Sequence, residues 1–207
     1  MLKHSLLLIL LALAPALTSA AQPAPVIMVF GDSLSAAYGI PLERGWVAML
    51  QQRLSEQGYP HAVINASISG ETTRGGLSRI GAALATHRPA IVILELGAND
   101  GLRGLPTEDM RRSLAAMIVQ CRQNQARVLL VGMLLPPNYG PIYARQFQQS
   151  FEEVAKQYEL PAPPFLLDGV AGNAELAQED GLHPKAEAQA RILDNVWGAL
   201  KTLLKKR

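Results

Sequence analysis

The chain alternates short apolar runs with longer segments in which apolar residues recur every three or four positions. The short runs are rich in Val, Ile and Leu and are bounded by glycine or proline, a pattern typical of buried strands. They predict five strands, at Val26–Phe30, Ala62–Asn65, Ala90–Leu96, Val128–Leu134 and Phe165–Asp168. The other segments predict five helices, at Gly45–Gln57, Leu77–Thr86, Thr107–Asn124, Pro141–Tyr158 and Pro184–Leu204.

Strands that alternate with helices predict a single-domain α/β fold, in which helices cover both faces of a five-stranded parallel sheet. We therefore expect a three-layer α/β/α arrangement, and five strands favour a flavodoxin-like strand order. Ligands in such folds bind at the carboxyl ends of the strands. The residues that directly follow each predicted strand are therefore the first candidates for chemistry.

The first residues predict a signal peptide rather than part of the domain. A basic start is followed by an apolar run from Leu6 to Leu13 and by the small residues Thr18-Ser19-Ala20. This order is the pattern of an export signal, and the apolar run is too short to cross a bilayer comfortably. We assign residues 1–20 to the signal peptide and residues 21–207 to the domain, with an uncleaved membrane anchor as the alternative. The predicted location is the periplasm, and secretion to the medium stays open.

Composition excludes several classes of function. Hydrophobic residues make up 49% of the chain and charged residues 17%, so the chain can bury a sizeable core. The net charge of +2 gives no support for nucleic-acid binding, which normally needs a concentrated basic face. The single cysteine, Cys121, excludes an intrachain disulfide and any zinc or iron–sulfur site built from cysteines, and its simplest interpretation is a buried helix residue.

A compact acid–base unit precedes the last predicted helix, in the segment Asp180-Gly-Leu-His-Pro184. His183 falls on the carboxyl side of the predicted sheet, whereas His61 and His87 lie at connections from helix to strand. A nearby carboxylate can fix the tautomer of an imidazole and leave its other nitrogen free as a base, and it would offset the positive end of the following helix. The alternative is a solvent-exposed acid beside a helix-capping histidine.

Ser33 is the candidate nucleophile, because it follows the first predicted strand in the segment Gly31-Asp-Ser-Leu-Ser35. Serine attack on an acyl group also needs a base, an orienting acid and donors for the oxyanion. The spacing differs from the G-x-S-x-G nucleophile motif. The alternative is a serine that only caps a turn, and Ser35 is a second hydroxyl nearby.

Two further positions after predicted strands could hold an oxyanion. Asn99, in Gly97-Ala-Asn-Asp100, offers a neutral amide donor at the end of Ala90–Leu96, the strand that the pattern predicts most strongly. Gly70 can present its backbone N–H with no side chain in the way. Asn and Gly are also ordinary turn residues, which is the alternative for both.

Four segments, taken in this order, resemble the motifs of the SGNH (GDSL) hydrolase family: GDSLS with Ser33, a glycine segment with Gly70, GAND with Asn99, and DGLHP with Asp180 and His183. The resemblance extends over nearly the whole domain. Together with the segment LPPNYG, the motifs are similar to those of an exported branch of the family. That branch has esterase, acyl-CoA thioesterase and lysophospholipase activities.

The resemblance implies a role for each of these residues. Ser33 would attack the acyl carbonyl, His183 would take its proton, and Asp180 would orient the imidazole. The Ser33 N–H, the Gly70 N–H and the Asn99 amide would hold the oxyanion. No metal or organic cofactor is implied.

Two assignments stay open at this point. Asp168 also follows a predicted strand and competes with Asp180 as the orienting acid. The apolar segment Leu134–Tyr143 (LLPPNYGPIY) either binds a fatty chain or only covers the edge of the sheet.

The leading interpretation is an exported serine esterase, a monomer that acts on small acyl esters or thioesters, with lysophospholipids among the candidate substrates. The basic end of the chain complements a helix dipole, and a weak contact with an anionic membrane surface is a second interpretation of it. The alternatives to an acyl esterase are a carbohydrate O-deacetylase and a non-catalytic envelope binding protein with the same fold.

Overall fold

The computed structural model describes residues 23–204, so the proposed signal peptide and the last three residues lie outside the described part of the chain. Within it, four parallel strands form one sheet in the order β2-β1-β3-β4. The strands are β1 (Val26–Gly31), β2 (Ala62–Asn65), β3 (Ile91–Glu95) and β4 (Arg127–Leu130). The helices are α1 (Trp46–Glu56), α2 (Thr73–His87), α3 (Ala98–Leu102), α4 (Thr107–Gln123), α5 (Pro141–Gln157) and α6 (Gln189–Lys201).

Helices cover both faces of the sheet, which confirms the predicted three-layer α/β fold. On one side α1 packs against α6, and on the other α2 packs against α4, which also contacts α5. The central strands β1 and β3 are buried almost throughout, which is why they are continuous apolar runs. Their carboxyl ends lie side by side, with Gly31 opposite Glu95. No helix in residues 23–204 is long and apolar enough to cross a membrane.

The predicted fifth strand, Phe165–Asp168, is wrong as a regular strand. In the described chain this segment makes a single parallel bridge, between Gly132 and Phe165. The prolines at positions 161, 163 and 164 lack the N–H that a strand ladder needs. A turn then follows at once, since the Asp168 N–H donates to the Phe165 carbonyl at 3.3 Å. The sheet therefore has four strands rather than five.

The start of α2 differs from the prediction because of capping, whereas α4 starts at the predicted residue. α2 begins at Thr73, four residues before the predicted start, because the side chain of Thr72 accepts a hydrogen bond from the first turn and caps the helix. α4 begins at Thr107 as predicted, but its N-cap residue is Pro106, which makes no side-chain cap. The added turn of α2 starts close behind the Gly70 segment.

The last helix begins later than predicted. After Pro184 the chain makes a 3-10 turn at Ala186–Ala188, and α6 starts at Gln189. His183 therefore does not lie at a helix N-terminus, and the expected effect of a helix dipole on its imidazole does not apply. The sequence pattern does not predict the short helix α3, because its five residues span little more than one turn and show no helical periodicity.

Cys121 lies in the core, in agreement with the sequence pattern. Its side chain on α4 is fully buried. Burial raises the pKa of its thiol to about 12, so the thiol is protonated and unreactive at neutral pH.

Gly101 in α3 lies against the side chains of two later segments. A Cβ at this position would lie 2.6 Å from both Leu135 Cδ2 and Phe147 Cε2. Phe147 is fully buried, so its ring has no free space to move into. We expect Gly101→Ala to lower the free energy of unfolding by about 1–3 kcal/mol, measured by urea denaturation.

Gly198→Ala is the matched control, because a Cβ on this α6 glycine would meet nothing within 4 Å. We expect it to raise the free energy of unfolding by about 0.5–1 kcal/mol, since alanine favours the helix and restricts the unfolded chain. Equal effects of the two substitutions would contradict the close packing of α3.

Candidate active site

Ser33 lies in a tight turn at the carboxyl end of β1. The turn is closed by backbone hydrogen bonds, among them one of 3.2 Å from the Tyr38 N–H to the Ser33 carbonyl. Gly31 permits this turn where β1 meets β3, because a Cβ there would collide with the carboxyl group of Glu95. The core therefore holds the backbone of Ser33 at the edge of the sheet where ligands of α/β folds bind.

Asp180 and His183 lie in a small antiparallel hairpin. Ala177 pairs with Pro184, and the Gln178 N–H donates to the His183 carbonyl at 2.7 Å. The Asp180 side chain folds back across the turn, and its Oδ1 accepts two backbone N–H groups, one of them that of His183, at 2.9 Å each. These bonds fix the carboxylate beside the imidazole of the same turn.

A continuous line of hydrogen bonds joins the acid, the base and the hydroxyl. His183 Nδ1 lies 2.5 Å from Asp180 Oδ2, and His183 Nε2 lies 2.9 Å from Ser33 Oγ. Hydrogen bonding to His183 lowers the pKa of Asp180 to about 2, so this carboxylate is charged at neutral pH. A charged Asp180 favours the tautomer with its proton on Nδ1, which leaves Nε2 free to accept the serine proton.

The competing candidates make other contacts. The Asp168 carboxylate pairs with Arg191 at 3.3 Å, and in the described chain it makes no hydrogen bond to His183. The Ser35 hydroxyl donates to the buried Glu95 carboxyl at 2.5 Å. The two other described histidines lie at the amino side of the sheet, one just before β2 and one at the end of α2.

Asn99 follows β3 and Gly70 follows β2, the two strands on either side of β1. The Asn99 Nδ2 donates to Asp32 Oδ2 at 3.0 Å, which holds the amide beside the residue that precedes Ser33. Gly70 has a φ of +79°, which favours glycine, and its carbonyl accepts from Arg103 at 2.9 Å. Within residues 23–204, neither the Ser33 N–H nor the Gly70 N–H donates to a protein acceptor, and no hydrogen bond joins Gly70 to the other four candidates.

A sequence model of the GDSL-like Lipase/Acylhydrolase family matches residues 29–191. This span includes all five candidate residues. The chain belongs to this family.

The matches to similar proteins extend over nearly the whole chain. Esterase TesA of Pseudomonas aeruginosa is 48% identical over 192 residues, which is 93% of this chain and 96% of that protein. Thioesterase 1/protease 1/lysophospholipase L1 of Escherichia coli K12 is 36% identical over 188 residues, covering 91% and 89% of the two chains. The structure of psychrotrophic esterase EstA from Pseudoalteromonas sp., inhibited by monoethylphosphonate, matches with a TM-score of 0.81 at 40% identity, covering 86% of this chain and 97% of that one.

Two buried carboxyl groups lie beneath the turn of residues 33–39, which carries the candidate nucleophile Ser33 and is called the nucleophile turn below. Glu95 Oε2 accepts from the Ser35 hydroxyl at 2.5 Å and from the Asp32 N–H at 3.3 Å, while Oε1 has no partner in the described residues. Asp32 Oδ1 accepts from the Leu34 N–H at 3.0 Å. The glutamate inside the apolar run AIVILEL is the one sequence signal that could have revealed this pair.

Burial decides the charge of these two groups. It raises the pKa of Asp32 to about 6, and burial together with the Asp32 charge raises the pKa of Glu95 well above its usual value. Burial thus favours the protonated form of Glu95, while Asp32, with a pKa of about 6, is mostly charged at neutral pH. The Asp32 carboxylate then orients the Asn99 amide, whose second N–H remains available for another acceptor.

Tyr38 contacts the imidazole of the hydrolase from the β1 side. The rings of Tyr38 and His183 have centroids 4.5 Å apart and are tilted by 40°. The tyrosine covers one face of the imidazole and restricts its rotation. Nothing in the sequence pattern singles out this residue.

The chain after β4 lies against the end of α3 and the segment that follows it. The Tyr139 hydroxyl donates to the Leu102 carbonyl at 2.9 Å, and the Tyr143 hydroxyl, in the first turn of α5, donates to the Leu105 carbonyl at 2.7 Å. Exposed apolar side chains follow all four strands and also stand in the His183 hairpin: Tyr38, Ile68, Leu105, Leu134 and Leu182, with Ile142 at the start of α5. This edge of the sheet therefore combines polar chemistry with exposed apolar surface.

The raised pKa of Asp32 predicts a change of stability between about pH 4 and about pH 6. Its pKa is about 6 in the folded protein against an ordinary value of 3.8, so the folded state binds this proton more tightly and stability falls as pH rises through that range. The fall due to Asp32 is at most about 3 kcal/mol. We expect Asp32→Asn to abolish it, measured as the difference in unfolding free energy between variant and wild type across this pH range.

Glu95→Gln is the control for this experiment, because an amide reproduces a protonated Glu95 and keeps an oxygen for the Ser35 hydroxyl. We expect its unfolding free energy at neutral pH to lie within about 1 kcal/mol of wild type. If the unfolding free energies of wild type and Asp32→Asn change in parallel between about pH 4 and about pH 6, Asp32 does not have the raised pKa.

Proposed function

We propose that this hydrolase is an exported serine esterase that cleaves acyl esters and thioesters through an acyl-enzyme on Ser33. The chain is a carboxylic ester hydrolase by family, and its relatives carry the names esterase and thioesterase/lysophospholipase. The observation that carries the proposal is the hydrogen-bonded line from Asp180 through His183 to Ser33, with separations of 2.5 and 2.9 Å. A nucleophile, a base and an orienting acid are the parts that serine acyl transfer needs.

In the first half of the reaction the Ser33 oxygen attacks the acyl carbonyl while His183 Nε2 takes the hydroxyl proton. Asp180, which stays charged, stabilises the imidazolium and keeps its Nδ1–H directed at the carboxylate. The imidazolium then gives its proton to the leaving alcohol or thiol. In the second half His183 activates a water molecule, which releases the acid and restores Ser33.

Three donors are available for the negative charge that develops on the carbonyl oxygen. They are the unpartnered N–H groups of Ser33 and Gly70 and the Asn99 amide, which Asp32 orients. Losing one donor of this kind typically lowers the rate by about 100- to 1000-fold. All three are neutral and follow three adjacent strands, Ser33 and Asn99 close to the ends of β1 and β3 and Gly70 in an exposed turn after β2.

The substrate is a small-molecule ester, and we propose that medium or long acyl chains fit this hydrolase. The exposed apolar side chains at the catalytic edge, Leu134 and Ile142 among them, support an apolar acyl group over a sugar-bound acetate. The two tyrosines that follow β4 bond to the end of α3 and to the segment after it, which favours a wall of the substrate site over a simple cover of the sheet edge. Lysophospholipids fit the same description.

Export, location and assembly complete the proposal. The pattern in residues 1–20, which lie outside the described residues, supports cleavage of a signal peptide and a periplasmic protein. We propose that the enzyme acts as a monomer and contacts anionic membrane surfaces weakly through its basic C-terminal end.

Replacing Ser33 tests the proposed nucleophile. We expect Ser33→Ala to lower kcat for p-nitrophenyl esters by about 10⁴- to 10⁶-fold, because no other hydroxyl in residues 23–204 has His183 as a partner. The measurement compares the purified variant and wild type on esters from acetate to palmitate, a long-chain acyl-CoA and a lysophospholipid. Ser35→Ala is the matched control, and we expect it to retain far more activity than Ser33→Ala.

The chain-length series separates the alternatives. Turnover of medium or long chains supports the acyl esterase, and activity confined to acetate would favour a carbohydrate O-deacetylase. Equal inertness of wild type and Ser33→Ala on every substrate would contradict the proposed nucleophile and favour a binding protein.

Two aspartates provide a matched test of the orienting acid. We expect Asp180→Asn to lower kcat by about 10³- to 10⁴-fold, because an amide no longer favours the imidazole tautomer with a free Nε2. Asp168→Asn should leave kcat within about threefold of wild type, because Asp168 pairs with Arg191. Steady-state kinetics on one ester decides between them, and a larger loss for Asp168→Asn would reverse the assignment.

A further inference from the structure

A side chain outside the proposed triad connects the two loops that carry it. The Gln178 Nε2 donates to the Tyr38 carbonyl at 2.9 Å and to the Pro184 carbonyl at 3.0 Å. Tyr38 belongs to the nucleophile turn and Pro184 to the hairpin that carries the base. Both Nε2 hydrogens are thus used, one on each loop, so the amide joins segments that are 140 residues apart in sequence.

The backbone extends this connection to the reacting residues themselves. On one side the Tyr38 N–H donates to the Ser33 carbonyl at 3.2 Å. On the other side the Gln178 N–H donates to the His183 carbonyl at 2.7 Å. The result is a closed circuit of hydrogen bonds, and in the described part of the chain Gln178 is the one side chain that hydrogen-bonds to the backbones of both the nucleophile turn and the hairpin.

The local sequence leaves space for this amide. Gly39, which follows Tyr38, has a φ of +73°, and a Cβ on it would collide with the Gln178 side chain. The tip of the hairpin is exposed, since the Asp180 side chain is 39% exposed and Leu182 is exposed as well, whereas Pro184 at its base is buried. The polar contacts of Gln178 and the ring of Tyr38 therefore hold the imidazole relative to Ser33.

We propose that Gln178 is a positioning residue that sets the distance between His183 Nε2 and Ser33 Oγ. This inference rests on the roles proposed above for Ser33 and His183. Gln178 touches neither substrate nor the reacting atoms. It acts by holding the hairpin against the nucleophile turn, while the bond between Asp180 and His183 is internal to the hairpin and does not depend on it.

Two substitutions test the link. Gln178→Ala removes both hydrogen bonds, and Gln178→Glu keeps the shape but has no donor at neutral pH, so it places a carboxylate against two carbonyl oxygens. We expect kcat to fall by about 10- to 100-fold in both variants, since a displacement of about 1 Å between reacting groups has an effect of this size. KM should change by less than about threefold.

Two further readouts separate positioning from general stability. The rate of inactivation by a serine-directed phosphonate should fall by the same factor as kcat, at temperatures well below the unfolding transition. The downfield proton resonance of the His183 Nδ1–H should persist, because the hydrogen bond between His183 and Asp180 lies within the hairpin. Gln148→Ala is the matched control, because this exposed α5 glutamine bonds only Glu152 among the described residues, and it should leave all three quantities unchanged.

The outcomes that would overturn the inference are distinct. A kcat within twofold of wild type in both Gln178 variants, or a raised KM with kcat unchanged, contradicts a positioning role. Loss of the downfield resonance means that Gln178 is needed to form the hairpin itself, which also contradicts it. A wild-type enzyme that does not react with the phosphonate contradicts the proposed function instead, so the two failures are distinguishable.

Discussion

The hydrogen bond of 2.9 Å between Ser33 Oγ and His183 Nε2 joins two parts of the chain that are held in place by different forces. Ser33 follows a central strand whose residues are buried on both faces, so packing fixes its backbone. His183 lies in a partly exposed hairpin after the last strand, where few apolar contacts are available. Because the two residues are 150 positions apart, no local geometry sets their separation. The contacts between hairpin and turn therefore determine whether the site can react.

The same edge of the sheet holds two buried carboxyl groups, which a core would normally exclude. Protonation of Glu95 reduces the cost, since a neutral carboxyl can still accept from Ser35 and from the Asp32 N–H while carrying no charge. The charged Asp32 carboxylate accepts a hydrogen bond that an apolar residue could not accept. It accepts from the Asn99 amide and so keeps the other amide hydrogen in a fixed direction. The buried charge of Asp32 thus lowers the folding stability but fixes the orientation of the Asn99 amide.

Sequence patterns predict the parts of this molecule that depend on burial. β2 has its predicted bounds, and the ends of β1, β3 and α5 differ by a residue at most, because continuous apolar runs and a terminal glycine or proline leave little freedom. The pattern fails where hydrogen bonds decide. The Thr72 cap lengthens α2, and prolines reduce the Phe165 segment to a single bridge.

The candidate site divides in the same way. Ser33, Asp180 and His183 stand in short motifs that can be identified in the sequence, and the structure brings them into hydrogen-bond contact. Gln178 and Tyr38 act through backbone carbonyls and ring contacts with residues far away in the chain, and single sequences carry no signal for such pairs.

This division bears on how one fold supports relatives named esterase, thioesterase and lysophospholipase. Two of the proposed oxyanion donors, the Ser33 N–H and the Asn99 amide, directly follow the central strands β1 and β3, whose packing is independent of what the loops bind. The apolar side chains that would meet an acyl group, such as Leu134 after β4 and Ile142 at the start of α5, are exposed, so their replacement disturbs no core. Substrate preference can therefore change while the attacking and stabilising groups keep their geometry, provided that the contacts of the hairpin with the nucleophile turn are kept. The hairpin carries the proposed base, yet polar contacts hold it in place, as they would hold a substrate-binding loop. Sequence changes at these polar contacts would therefore be the first to affect the rate.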